Sequence, residues 1–210
     1  LQGNYGVPSP LDWAAQDPPA APRFESDRIQ VAGLIVAQYT PTPSHHAATQ
    51  SLGAWLASQG VPALSGIDTR ALTQRLRQHG TLADALLPPG VDDATGFAQA
   101  PQAAMADVAH AVQPRQVRIY EGGGPRILVI DTGCKESIVA SLRQRGAAVV
   151  RAPADSAWEP YVDHCDGVLL GNGPGDPKDL PALCDRVRAL FSARGGSLPL
   201  FGICLGHQLL

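Results

Sequence analysis

The residues best suited to covalent chemistry are Gly202-Ile203-Cys204-Leu205-Gly206, a cysteine set between two glycines where an apolar run gives way to a helical one. Leu198 to Ile203 reads as a short strand and Leu205 to Leu210 as the first turns of a helix. A nucleophile on such a corner is held in a strained backbone conformation, and glycines two residues to either side let strand and helix pack closely enough to turn. The helix N-terminus favours the thiolate, the reactive form of cysteine. The backbone N–H of Leu205, just after Cys204, is placed to stabilise an oxyanion. An isolated free cysteine is more simply a packing residue. The Gly-x-Cys-x-Gly corner reverses that reading.

A second signal precedes it, at Gly171-Asn172-Gly173-Pro174-Gly175-Asp176-Pro177. This loop follows the continuously apolar Gly167-Val168-Leu169-Leu170, a pattern of buried parallel strands. Asp179 to Arg194 then reads as a helix with Leu180, Leu183, Val187, Leu190 and Phe191 along one face. Strand, loop, helix and strand make one βαβ unit, whose crossover brings both strand ends to the same edge of the sheet. Open α/β sheets bind ligands at that edge. The Gly-rich loop, with Gly173 at that edge, can therefore offer a backbone N–H opposite that of Leu205, completing a two-donor oxyanion hole.

The run GNGPGDP followed by FGICLGHQLL resembles the class I glutamine amidotransferases, which release ammonia from glutamine through a cysteine thioester. Three further stretches are similar to one branch of them, the small glutaminase subunits of carbamoyl-phosphate synthases: Gly3-Asn4-Tyr5-Gly6-Val7, Gly66-Ile67-Asp68-Thr69-Arg70-Ala71-Leu72-Thr73 and Asp131-Thr132-Gly133-Cys134-Lys135. The resemblance implies an α/β fold in which a small-subunit domain is followed by an amidotransferase domain with an open, mostly parallel sheet. It implies Cys204 as nucleophile, with Gly173, Gly175, Leu205 and Gln208 at positions that contact glutamine. The resemblance implies that the proton transfers fall to a His-Pro-Glu segment expected downstream of residue 210, and that a glutamine-contacting serine is expected ahead of Leu1. The N-terminal domain is implied to dock on a large synthetase subunit, which uses ATP and magnesium to build carbamoyl phosphate from bicarbonate and the delivered ammonia. No cofactor is implied in this chain, and the setting implied is cytoplasmic biosynthesis of arginine or pyrimidines.

The elements that must position these residues divide into two domains. The expectation is residues 1–120, a linker at 121–125 (Glu121-Gly122-Gly123-Gly124-Pro125) and a second domain at 126–210. In the first, Ser9 to Pro22 reads as an irregular Pro-rich segment and Val31 to Ala37 as a buried strand. Thr49 to Gln59 reads as a helix stopped by Gly60, and Val61 to Leu64 as a strand. Asp68 is the expected N-cap of a helix over Thr69 to His79, which Gly80 ends. Ala103 to Ala111 is expected to be helical. In the second, Arg126 to Asp131 and Ala147 to Arg151 are strands, with a helix from Ser137 to Gly146 between them.

Composition sets the bounds. Of 210 residues 44% are hydrophobic, enough for packed cores, and a net charge of −3 argues against a nucleic-acid footprint. No run of apolar residues is long enough to span a membrane. The chain opens at Leu1 without an initiator methionine or a signal-peptide pattern and reads as an internal piece of a longer protein. Its four cysteines contain no Cys-x-x-Cys pair, so neither zinc site nor disulfide framework is expected.

Rival residues carry weaker signals. Cys134 also sits at a strand-to-helix turn, but Glu136 stands where the elbow needs a glycine. Its neighbour Lys135 is a candidate to shape the site or the subunit contact. Cys165 and Cys184 read as core residues, and the pair His45-His46 as surface histidines without spaced metal partners. His207 lies one turn beyond Cys204, but helix geometry turns it away from the substrate side. Arg70 reads as an exposed first-turn residue. Other readings stay open: another class I amidotransferase or a free-standing cysteine hydrolase, and a non-catalytic module that only binds the large subunit. The 210-residue chain alone is expected to be inactive and poorly stable, with apolar surface around Phe201 to Leu210 and an unpaired strand edge.

Overall fold

A computed structural model describes residues 6–8, 24–26, 28–80, 82, 85–87, 89–92, 95–96, 105–194 and 196–210. The Asn4-Tyr5 part of the N-terminal motif and the Pro-rich segment lie outside them. The chain divides into two compact units: residues 1–11 with 27–102, and residues 12–26 with 103–210.

In the first unit β1 (Val7–Pro8) pairs antiparallel with β3 (Ala48–Gln50), and β2 (Leu34–Val36) pairs parallel with β4 (Ala63–Ser65). Helix α1 (Leu52–Ser58) starts where Ser51 Oγ accepts the Ala54 N–H at 3.1 Å and is left at Gly60, whose φ is +68°. Helix α2 (Thr69–His79) has the expected caps: Asp68 accepts the Ala71 N–H at 3.0 Å, and Gly80 closes it. The strand expected over Val31 to Ala37 is shorter and less buried. Its central Leu34–Val36 is half-exposed and Val31 is exposed, because β2 has one partner among the described residues and that partner, β4, is itself exposed.

The second unit contains α3 (Met105–Val112) and is built on a five-stranded sheet in the order β5-β7-β6-β8-β9. Here β5 is Arg118–Tyr120, β6 Arg126–Asp131, β7 Ala148–Pro153, β8 Gly167–Leu170 and β9 Leu200–Gly202. Only β5 runs antiparallel; the other pairings are parallel. Alternation along the strands explains why both faces are buried. Leu128, Ile130, Val150, Ala152, Val168 and Leu170 point to one side, where α5 (Glu159–Val162), α6 (Pro181–Arg194) and α7 (Leu205–Leu209) cover them. Val129, Val149 and Leu169 point to the other, against Val139 of α4 (Glu136–Gln144). Trp158 is fully buried in the first cluster, its indole N–H donating to Ala154 O at 3.2 Å and Arg186 lying 4.4 Å over its ring.

Two further expectations are corrected. On α6, Leu183, Val187 and Leu190 face the core, but Phe191 is 57% exposed, since one residue past Leu190 turns about 100° around the helix. The glycine run at 121–125 is also no spacer between domains. Residues 118–120 already belong to the sheet, and the run carries the chain across the N-terminal end of β7 into β6 on its far side. The crossing is tight: a Cβ on Gly122 would lie 2.6 Å from the Ala147 backbone, and the Gly124 N–H donates to Gly146 O at 2.8 Å.

Candidate functional site

Cys204 ends β9 and begins α7, with φ 53° and ψ −113°. Among the described residues no other non-glycine has a positive φ. Such a conformation costs on the order of 1–3 kcal/mol and persists only where surrounding contacts over-determine it. The two glycines supply those contacts. A Cβ on Gly202 would run into the Gly206 backbone and come within 2.5 Å of His207 N. One on Gly206 would run into Leu170 O and lie 2.8 Å from Gly171 O. The Gly206 N–H donates to Gly171 O at 3.1 Å, tying the corner to the end of β8. Because these obstacles are backbone atoms, Gly206→Ala is expected to destabilise the protein by about 1–3 kcal/mol. Thermal melting checks this, and a variant that melts with the wild type sinks the close-packing account.

The corner leaves the Cys204 side chain exposed while Leu205 is buried beside it. Among the described residues no hydrogen bond takes up the Leu205 N–H or the Gly173 N–H. Leu170 pairs with Gly202, so the loop after β8 and the corner after β9 leave the same edge of the sheet. Gly173 sits hard against the turn after β6: a Cβ there would lie 2.6 Å from Thr132 Oγ1. Gly175 has φ +104°, and Asp176 Oδ1 then accepts the Lys178 N–H at 2.9 Å to start a short 3-10 turn over Pro177–Asp179. Gln208 is exposed on α7, its N–H bonded to Cys204 O at 3.1 Å. His207 is exposed on the same helix and makes no hydrogen bond with the thiol among the described residues.

Cys134 behaves differently from Cys204. Burial, then the nearby charge of Asp131, push its thiol up to about 12. It packs against Gly171, where a Cβ would lie 3.0 Å from its sulfur. Since the folded value lies above the ordinary 9.0, the associated stability is complete below pH 9 and is lost as pH rises toward 12. Cys165 and Cys184 are half-buried against the larger cluster. His45 and His46 stack in an exposed loop with their rings 4.3 Å apart, and Arg70 is exposed.

Sequence reasoning missed the buried ion network beside the loop. Asp131 is fully buried at the end of β6, and its Oδ1 accepts the N–H groups of Gly133 at 2.7 Å and Cys134 at 2.6 Å. Arg151 of β7 donates Nε to Asp131 Oδ2 at 2.5 Å and Nη1 to Glu136 Oε2 at 2.6 Å. Burial works to lower the Arg151 pKa, but the two carboxylates outweigh it and hold the guanidinium above its ordinary value. The detectable signal was Arg151 itself, a charge inside an apolar strand that must find a partner.

A cavity of about 320 Å³ opens past the ends of β6 and β7, lined by Thr132, Ala154, Asp155, Leu180, Leu183 and Arg186 among others. Cys204 is not in its lining. Among the described residues there is no cluster of three or more metal-ligating side chains, and no helix long and apolar enough to cross a membrane.

Comparison with known proteins agrees with both units. The family description "Carbamoyl-phosphate synthase small chain, CPSase domain" matches residues 1–86, and "Glutamine amidotransferase class-I" matches residues 128–210. The chain is 40% identical to a carbamoyl phosphate synthase small chain of Symbiobacterium thermophilum and 36% identical to one of Methanopyrus kandleri, in each case over the whole chain and 56% of the relative. It is 39% identical to an arginine-specific small chain of Aspergillus oryzae, over the whole chain and 46% of the relative. The chain thus spans about half the length of the curated relatives it matches. With the small-chain domain followed by a class I amidotransferase domain, the chain belongs to the carbamoyl-phosphate synthase small-chain family.

Proposed function

We propose that this chain carries the nucleophile half of a glutaminase that supplies ammonia to a large synthetase subunit. The observation that carries the reading is Cys204: an exposed thiol on a positive-φ strand-to-helix corner, wedged between two glycines that admit no side chain. A structural cysteine gains nothing from such strain; a nucleophile gains access to a substrate and an adjacent free N–H.

The Cys204 sulfur bonds to the side-chain amide carbon of glutamine as the thiol proton passes to a base. The carbonyl oxygen becomes an oxyanion between the N–H groups of Leu205 and Gly173, each worth roughly 3 kcal/mol of barrier. The C–N bond then breaks, ammonia leaves with the proton, and water cleaves the glutamyl thioester to glutamate and free thiol. Gly175 shapes the loop, and Gln208 on the exposed face of α7 reaches the substrate. The imidazole that moves the protons is not His207, which is exposed on α7 and makes no hydrogen bond with the thiol among the described residues. ATP and magnesium serve the large subunit, which the small-chain domain docks, in the cytoplasm, for arginine or pyrimidine synthesis.

A glutamine analogue bearing an electrophilic side chain, applied to the full-length protein near pH 8, tests this by peptide mass mapping. Cys204 is expected to be modified and Cys134 to stay free, because its thiol is held protonated. Modification of Cys134 in place of Cys204 overturns the reading.

A further inference from the structure

The strand order reverses between β6 and β8, since β7 lies to one side of β6 and β8 to the other. At that switch point the turn after β6 and the loop after β8 grip each other. Asn172 is held at both ends: its side-chain Oδ1 accepts the Lys135 N–H at 3.1 Å, and its carbonyl accepts the Thr132 hydroxyl at 3.3 Å. We propose that Asn172, pinned by Lys135 and Thr132, is a positioning residue that sets the direction of the Gly173 N–H, an inference that rests on the oxyanion role given to Gly173 above.

The reason is the planarity of the peptide bond. Asn172 C=O and Gly173 N–H belong to one rigid plane and point in opposite directions. Drawing the carbonyl toward Thr132 therefore aims the N–H away from the β6 turn. Free rotation of this plane is further blocked because Gly173 already lies against Thr132 and Gly171 N–H is bonded to Ile130 O at 3.0 Å. The turn itself cannot yield easily. Its Gly133 and Cys134 N–H groups are both fixed on the buried Asp131 carboxylate, and Arg151 Nη2 reaches Cys134 O at 3.4 Å. An oxyanion donor acts only if it is aimed before the charge develops, so preorganisation of this plane bears on the rate and not on substrate affinity.

The test uses the full-length protein with its partner. Asn172→Ala is expected to lower kcat for glutamine hydrolysis by about 10–100-fold, part of the loss seen on deleting a whole oxyanion donor. KM should stay within about twofold, and alkylation of Cys204 by iodoacetamide, which forms no oxyanion, should keep its rate. Thr132→Val, which keeps shape but loses the hydroxyl, should lower kcat by a few-fold, and Thr132→Ser should restore it. An unchanged kcat in Asn172→Ala, a change confined to KM, or a parallel slowing of alkylation overturns the proposal. So does a Thr132→Ser variant as slow as Thr132→Val, which assigns the effect to packing. If the wild type shows no Cys204-dependent hydrolysis at all, the glutaminase reading fails first and takes this inference with it.

Discussion

Replacing Cys204 by alanine in the full-length protein is expected to lower glutamine-dependent ammonia release on the order of 10⁴-fold or more, with the fold intact. None of the other three cysteines can substitute for it. Cys134 is buried and protonated, and Cys165 and Cys184 pack against the core. The loss should be confined to the chemical step. Alanine at a positive φ costs no more than cysteine does, and the glycine contacts that build the corner involve Gly202 and Gly206, not the thiol. If the large subunit consumes ammonia, supplying ammonium salt should restore carbamoyl phosphate synthesis to the variant complex. Glutamate release by Cys204→Ala at more than a few per cent of the wild-type rate would end the nucleophile assignment.

Asp131→Ala should produce the largest loss of stability, about 3–5 kcal/mol, the usual cost of removing one member of a buried ion pair. The magnitude comes from what remains. Arg151 has a side chain only 8% exposed, and Glu136, its other carboxylate, is itself 22% exposed and bound at a single nitrogen. Two backbone donors, Gly133 N–H and Cys134 N–H, lose their acceptor as well. A decrease in the urea midpoint read from near-UV circular dichroism of the second unit is the measurement. A shift below about 1 kcal/mol would mean that water or Glu136 takes over the guanidinium. Replacing Asp131 and Arg151 together by apolar residues should cost less, since no fully buried charge is then left alone, though the Gly133 and Cys134 N–H groups still lose their acceptor and the half-buried Glu136 its cation.

How much of this was readable in the chain follows from the range of each interaction. The caps of α2, the strands β6 and β8 and the elbow glycines are set by residues within four or five positions of one another, and sequence places them correctly. The ion network depends on registering β6 against β7. Asp131 and Arg151 are 20 residues apart, and reading β7 as ending at Arg151, when it continues to Pro153, put the charge at a strand end where it needs no partner. The glycine run at 121–125 misleads for another reason. A flexible spacer and a backbone forced close to another backbone call for the same residue, and composition cannot separate them. The apolar run at 31–37 likewise shows that a segment wants cover, not whether cover exists.

The sheet order has a mechanical consequence for the reaction centre. β8 is laced to neighbours on both flanks, β6 and β9, so the Gly173 loop springs from a strand restrained on two sides. β9 is the outermost strand among the described residues, with Phe201 65% exposed on it, so the thiol hangs from a strand restrained on one. The Gly173 loop is therefore held through two strand pairings, while the Cys204 corner relies on one pairing and on its backbone bonds to Leu170 O and Gly171 O. On the function proposed above, a neighbour packed beside β9 would act directly on the separation between sulfur and donor, the distance to which the barrier is most sensitive.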